Sequence, residues 1–382
     1  LHYEEVQDAI DDRPNDRTGP LLEPVLKPLY AAYAALKDAR AERQPLDLDL
    51  PERRIELDPD GTVKSVNFKD RLDAHKLIEE FMVLANVAAA ETLLEKKIPL
   101  LFRIHEEPSV AKLDALRETA QAAGYNLAKG QVLHTKHLNK LLNDAAGTDD
   151  AELINISTLR SMTQAYYGPA HIGHFGLALR SYAHFTSPIR RYADLIVHRA
   201  LISAHGWGKD GLSQLDIEDI EQIGAHISDT ERRSMTAERD TTDRYLASYL
   251  SERVGNEFSG RISGIARFGA FVKLDETGAD GLLPMRSLGR EYFHFDAEAG
   301  TLMGSDTGLM ISVGQRVTVR LTEAVPVTGG IALELLTLEG KALPQGGRGG
   351  RGPAGRTNPK RKATKAKRKD DKIKRKVKRV RR

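Results

Sequence analysis

The 382-residue chain contains no cysteine and one tryptophan. Disulfides and thiolate zinc sites are therefore excluded, and a reducing cytoplasm is the compartment that suits such a chain. No apolar run approaches the roughly 20 residues that span a bilayer, and no secretory signal is visible, so no membrane partner is expected. The first residue is Leu1 rather than methionine, which reads as a fragment or a processed chain. Net charge is also small, +3, but this balance hides an asymmetry. From Gly346 to Arg382 there are 18 Lys and Arg against 2 Asp, a tail of +16 that leaves the remainder at −13. So basic and so poor in apolar residues, segment 346–382 is expected to be a disordered Lys/Arg-rich arm. Its Arg-Gly-rich start suits contact with single-stranded nucleic acid, where neutralised phosphates release counterions. The plainer alternative is a solubility tail or an intramolecular partner for the acidic body.

What is present divides at about Val254. Residues 1–45 predict two helices broken by a loop from Asp11 to Pro20, the second helix packing through Leu26, Leu29, Tyr33 and Leu36. LDLDL predicts alternation as a strand, and Asp60-Gly61 between two strand-like runs predicts a hairpin. A helix is predicted from about Arg71 to Lys97, with Leu77, Ile78, Phe81, Leu84, Ala85 and Ala88 at core spacing; a second long one is predicted from about Leu215 to Glu252. His75, Glu79 and Asn86 form a polar stripe on the first of these, and buried polar groups must find partners or face a cavity. Beyond Val254, short alternating runs and Gly-rich turns predict five strands in about 85 residues, the make-up of an OB-fold barrel with a nucleic-acid-binding face. In the turn Arg267-Phe268-Gly269-Ala270-Phe271 a cation and aromatics come together, as base stacking requires; Phe268 is the better stacking candidate, since Phe271 could equally be core.

The most informative run is Tyr182 to Leu201, YAHFTSPIRRYADLIVHRAL. Thr186-Ser187-Pro188 predicts a capped helix start with proline at the first helical position. Ile189, Tyr192, Ala193, Ile196 and Ala200 would form its buried face, and Arg190, Asp194 and His198 a polar one. Arg190 would then sit in the first turn, beside free N–H groups and the positive end of the helix dipole, which is an anion site. A capped surface helix with an Arg190–Asp194 pair is the bland alternative.

This run resembles the hallmark motif of the RNase II/RNase R family of 3′→5′ exoribonucleases, and residues 254 to about 338 resemble the OB-fold RNA-binding domain repeated in the largest small-subunit ribosomal protein. The resemblance implies an α+β chain: the C-terminal part of a helix-rich catalytic domain over 1–250, a five-stranded RNA-binding barrel over 254–338, and the tail. It implies catalytic roles for three residues. Tyr3, in LHYEEVQ, would help set up the scissile phosphate; Glu79, in IEEFMVLAN, would meet the terminal nucleotide, with Glu80 structural; Arg190 would stabilise charge on the phosphate. Glu238, in the AERD run, would read the ribose 2′-hydroxyl, the contact that separates RNA from DNA. His75, Arg191, Arg267, Phe268 and Phe271 complete the expected RNA-binding set.

The same resemblance implies hydrolysis through two magnesium ions on a cluster of aspartates. That cluster is expected upstream of the position of Tyr3, and no substitute is visible: Asp47 and Asp49 alternate on a predicted strand, and Asp149 and Asp150 sit in a loop. An aromatic that stacks on a base in the family falls near Leu50 here. The expectation is a monomeric RNase R-like enzyme acting on single-stranded and structured RNA and releasing 5′-mononucleotides processively. The chain alone is expected to bind RNA without cutting it. The competing expectation is a non-catalytic RNA-binding protein that uses only the barrel and the tail.

Overall fold

The computed structural model describes residues 1–48, 53–68, 71–129, 133–289, 291–296 and 300–343. Leu50, Asp49 and the basic tail lie outside the described residues.

Helix α1 (Tyr3–Ile10) opens with a capping box, in which His2 and Glu5 satisfy each other's backbone N–H groups. After the expected loop, one helical turn and a π turn that buries Leu26 lead into α2 (Lys27–Arg43), which buries Tyr33 but leaves Leu29 exposed. The segment 46–48, read as strand from its alternation, is irregular. The hairpin forms as expected, with β1 (Arg53–Leu57) antiparallel to β2 (Val63–Phe68). Its turn is fixed by the Asp60 carboxylate, which accepts from the N–H and hydroxyl of Thr62 at 3.0 and 2.6 Å, and by Gly61 at φ +87°.

Helix α3 (Asp73–Glu95) buries Ala74, Leu77, Glu80, Val83, Asn86, Ala90 and Leu93. That stripe is rotated from the predicted one, and Ile78, Leu84 and Ala88 face outward. An apolar all-round segment gives no periodic contrast from which to choose a face. Next come β3 (Phe102–Ile104), a three-helix layer of α4 (Val110–Ala122), α5 (Thr135–Ala145) and α6 (Ala151–Ser161), and β4 (Tyr166–Gly168), antiparallel to β3. Leu116, Leu138, Leu141 and Ile154 fill the layer's own core. A separate core joins α3 and β3 to α7 (Tyr192–His205) through Leu93, Ile104, Val197 and Ala200.

Helix α8 (Ile220–Ser251) follows a short helix at Gln214–Glu218, so the single helix predicted from 215 is two. Its first turns pack on β4, where a Cβ at Gly224 would lie 2.8 Å from the carbonyl oxygen of Tyr167. Its last turns send Leu246, Ala247 and Leu250 into the barrel core. Between these anchors, residues 232–241 are exposed on every face.

The barrel comprises β5 (Glu257–Ala266), β6 (Gly269–Leu274), β7 (Asp280–Pro284) and, after an insertion, β11 (Arg316–Val325) and β12 (Gly330–Leu338). The order β11-β5-β6-β7-β12 closes through a β11–β12 pairing, so its five strands leave no edge. The insertion is a three-stranded meander of β8 (Phe293–Asp296), β9 (Thr301–Gly304) and β10 (Met310–Ile311), not foreseen from sequence. Its strands are too short for alternation to register. Among the described residues, no helix is long and apolar enough to cross a membrane.

Candidate active site

The run from Tyr182 is a loop locked from behind by one side chain. The buried Asn86 amide oxygen accepts from the N–H groups of Phe185 (2.8 Å) and Thr186 (3.2 Å), and its amide nitrogen donates to the Tyr182 hydroxyl at 3.1 Å. His198 Nε2 donates to the Phe185 carbonyl at 2.9 Å while its ring stacks on Phe185 at 4.4 Å. The Arg103 N–H donates to the Tyr182 carbonyl at 2.9 Å. A bidentate pair ties the Arg103 guanidinium to Glu231 of α8 at 2.6 and 2.8 Å, and the guanidinium lies 4.6 Å over the Tyr167 ring. The loop backbone is therefore held from α3, α7 and α8.

The predicted helix start is corrected. Pro188, Ile189 and Arg190 form a separate turn, and α7 begins at Tyr192 with Arg191 as its capping residue. The physical reason is Asp194: fully buried, its carboxylate accepts from the Ser187 N–H at 2.7 Å and from Arg191 at 2.8 and 2.9 Å. A helix running from Pro188 would carry Ser187 out of this arrangement. Ile189, expected in the core, is fully exposed, and Asp194 pairs with Arg191 rather than Arg190. Arg190 points into solvent and makes no hydrogen bond or ion pair through its side chain among the described residues. Its charge still reaches His184, whose pKa is pushed down to about 2, first by burial and then by Arg191 and Arg103. The Tyr167 hydroxyl, pushed up to about 12 by burial, shares a hydrogen bond with His184 Nδ1 at 2.8 Å.

Tyr3 and His75 come together: their rings stack at 4.1 Å and 23°, on first turns joined by the Gln7 side chain, which accepts from the Ala74 N–H at 3.1 Å. His75 Nδ1 is buried with no hydrogen-bond partner among the described residues. Glu79 lies one turn on, partly exposed and paired with Arg71, whereas Glu80 is buried against Arg40 at 2.8 Å. No hydrogen bond or ion pair among the described residues joins Arg190 to Tyr3, His75 or Glu79. Glu238 stands two turns beyond Glu231 on the same face of α8. It lines a cleft of about 520 Å³ opposite Arg53, Ile55 and Leu57 of β1. On the barrel, Arg267 and Phe268 are exposed, and Phe268 meets the half-buried Phe271 edge-on at 5.9 Å. Gly269 makes this turn close: a Cβ there would lie 2.1 Å from the Leu283 carbonyl oxygen.

Sequence reasoning missed Tyr167, Arg103 and Glu231, which carry no local signal because their partners are remote in sequence. Among the described residues, no three His, Asp or Glu side chains are grouped to hold a metal ion. These residues do not fit the implied magnesium pair, and no reaction step is assigned through it.

An RNB domain model matches residues 1–205 and an S1 RNA binding domain model residues 251–336. Ribonuclease R of Escherichia coli (strain K12) is 40% identical over 308 residues, covering 78% of this chain and 38% of the relative. Ribonuclease R of Aquifex aeolicus (strain VF5) is 38% identical over 300 residues, covering 78% and 42%. The chain thus spans about two fifths of the length of these relatives. Mycoplasma genitalium RNase R, solved in complex with ribose methylated single-stranded RNA, superimposes with a TM-score of 0.81 at 29% identity, covering 87% of this chain and 52% of that one.

Proposed function

The chain belongs to the RNB-domain, RNase R-like family, and from that premise we propose that it is the RNA-holding part of a 3′→5′ exoribonuclease that releases 5′-mononucleotides processively with magnesium. The proposed division is a catalytic portion over 1–250, an RNA-binding barrel over 254–338 and a basic arm over 346–382. The observation that carries the proposal is the locked loop that presents Arg190. Its neighbour Arg191 is consumed by Asp194, so Arg190 is the guanidinium left for the scissile phosphate, where it would stabilise developing charge. The Tyr3–His75 stack offers an aromatic surface beside Glu79, and Glu238 would read a ribose in its cleft. Arg267 and Phe268 would grip the strand on the barrel.

On this reading the chain alone holds RNA without hydrolysing it. The test is a 5′-labelled single-stranded RNA incubated with the chain and magnesium. Retardation without shortening is expected; a ladder of products shortened from the 3′ end would contradict the non-hydrolytic half, and absence of retardation the RNA-binding half. In the protein extended to its relatives' length, Arg190→Ala is expected to abolish shortening and leave retardation. Unchanged hydrolysis would remove Arg190 from the mechanism.

A further inference from the structure

A second cleft, about 760 Å³, opens where α2, α3 and α5 meet, lined among others by Lys37, Arg40, Lys76, Glu79, Lys136 and Lys140. Each helix contributes residues three or four apart, so each presents one face to the cleft. The base is fastened: the Thr135 hydroxyl donates to the Gln44 carbonyl at 2.6 Å, and the Asn139 amide donates to the Pro45 carbonyl at 2.8 Å. The cleft is therefore a built feature between packed helices rather than a gap between loops.

Its charges are unevenly committed. Arg40 and Arg43 together answer Glu80 and Asp47, Arg71 answers Glu79, and Lys76 answers Asp73. Lys37, Lys136 and Lys140 make no ion pair among the described residues, and the one lining carboxylate in the same condition is Asp144. Three ammonium groups against one carboxylate leave an excess near +2. That excess matches a single phosphate monoester, which carries about −1.5 to −2 at neutral pH. The volume falls within the roughly 300–1,000 Å³ of small-molecule sites, large enough for a nucleotide. Glu79, the residue proposed to meet the terminal nucleotide, stands in its wall.

We infer that this cleft receives the nucleoside 5′-monophosphate as it leaves the catalytic centre, its phosphate held among Lys37, Lys136 and Lys140. The inference rests on the exonuclease reading given above. A continuous strand fits less well, because the spare charge equals one phosphate dianion rather than a track of successive phosphodiesters.

The test is calorimetric titration of the 382-residue chain with adenosine 5′-monophosphate, adenosine and inorganic phosphate, with a short single-stranded RNA measured on the same samples. The nucleotide is expected to bind at least about tenfold more tightly than adenosine, and to weaken as salt screens the exposed lysines. Lys136→Gln with Lys140→Gln is expected to weaken the nucleotide about tenfold and the RNA less than about twofold. Lys209→Gln, on a loop elsewhere, is expected to change neither. Nucleotide binding no tighter than adenosine, or unmoved by the double substitution, would overturn the inference. So would RNA weakened as much as the nucleotide, which would make the cleft a strand track. Nucleotide binding as expected with no RNA binding at all would keep the cleft and sink the exonuclease reading instead.

Discussion

Adjacent arginines in this chain have opposite roles, and the difference is measurable. Arg191 closes a buried, bidentate pair with Asp194, while Arg190 stands in solvent. Removing one partner of a buried ion pair strands the other, so Asp194→Ala is expected to cost about 3–5 kcal/mol in denaturant unfolding. Arg190→Ala is expected to stay within about 0.5 kcal/mol of the parent, as exposed unpaired residues do. Equal losses would mean that Arg190 is structural after all. Asn86 makes a third case: truncation to Ala leaves two loop N–H groups and a phenol without their partner, and about 2–4 kcal/mol of destabilisation is expected.

At the scale of elements, what was legible in the sequence depended on whether the signal was local. The Asp60-Gly61 turn carries its own hydrogen-bond acceptor and its own positive φ, and the hairpin appears where it was expected. The barrel strands alternate, and they close as an OB-fold does. The start of α7 was misread because Ser187-Pro188 satisfies every local rule for a cap, while Asp194, seven residues on, captures the Ser187 N–H instead. The buried face of α3 was misread because apolar residues surround the helix. Of the candidate site, residue types were legible, but the Tyr3–His75 stack and the Arg103–Glu231 anchor required tertiary proximity. The β5–β6 turn depends on the close approach of Gly269 to Leu283. Gly269→Ala would drive a Cβ into the Leu283 carbonyl, so the barrel is expected to lose more than about 2 kcal/mol. Phe268→Ala, by contrast, is expected to leave stability unchanged and weaken single-stranded RNA by about 1–3 kcal/mol, the worth of one stacked base. A Phe268→Ala variant that unfolds early would reassign that ring to the core.

At the scale of the whole molecule, two largely desolvated imidazoles, His174 and His184, couple the fold around the 182–191 loop to pH. His184 is lowered to about 2 and His174 to about 3, each chiefly by burial, so both stay neutral in the folded state. In the unfolded chain they protonate near the ordinary histidine value of about 6.5. The unfolded state therefore binds more protons below that value, and stability is full above it and falls as pH drops. At pH 5 each of the two is expected to cost about 2 kcal/mol relative to pH 8, read as a falling unfolding midpoint. Replacing His184 with Asn is expected to flatten that slope; an unaltered slope would assign acid sensitivity to other groups.

The same molecule places Glu238 on the exposed middle of α8, between first turns that pack on β4 and last turns that enter the barrel core. If the chain is an RNA-holding part of an exoribonuclease, ribose must be read in that cleft. The most direct measurement is the equilibrium affinity of the chain for one single-stranded sequence made as RNA and as DNA, with Glu238→Ala in parallel. RNA is expected to bind at least about tenfold more tightly than DNA, and the substitution to remove most of that difference. Equal affinity for the two strands, or a preference untouched by Glu238→Ala, would contradict the account.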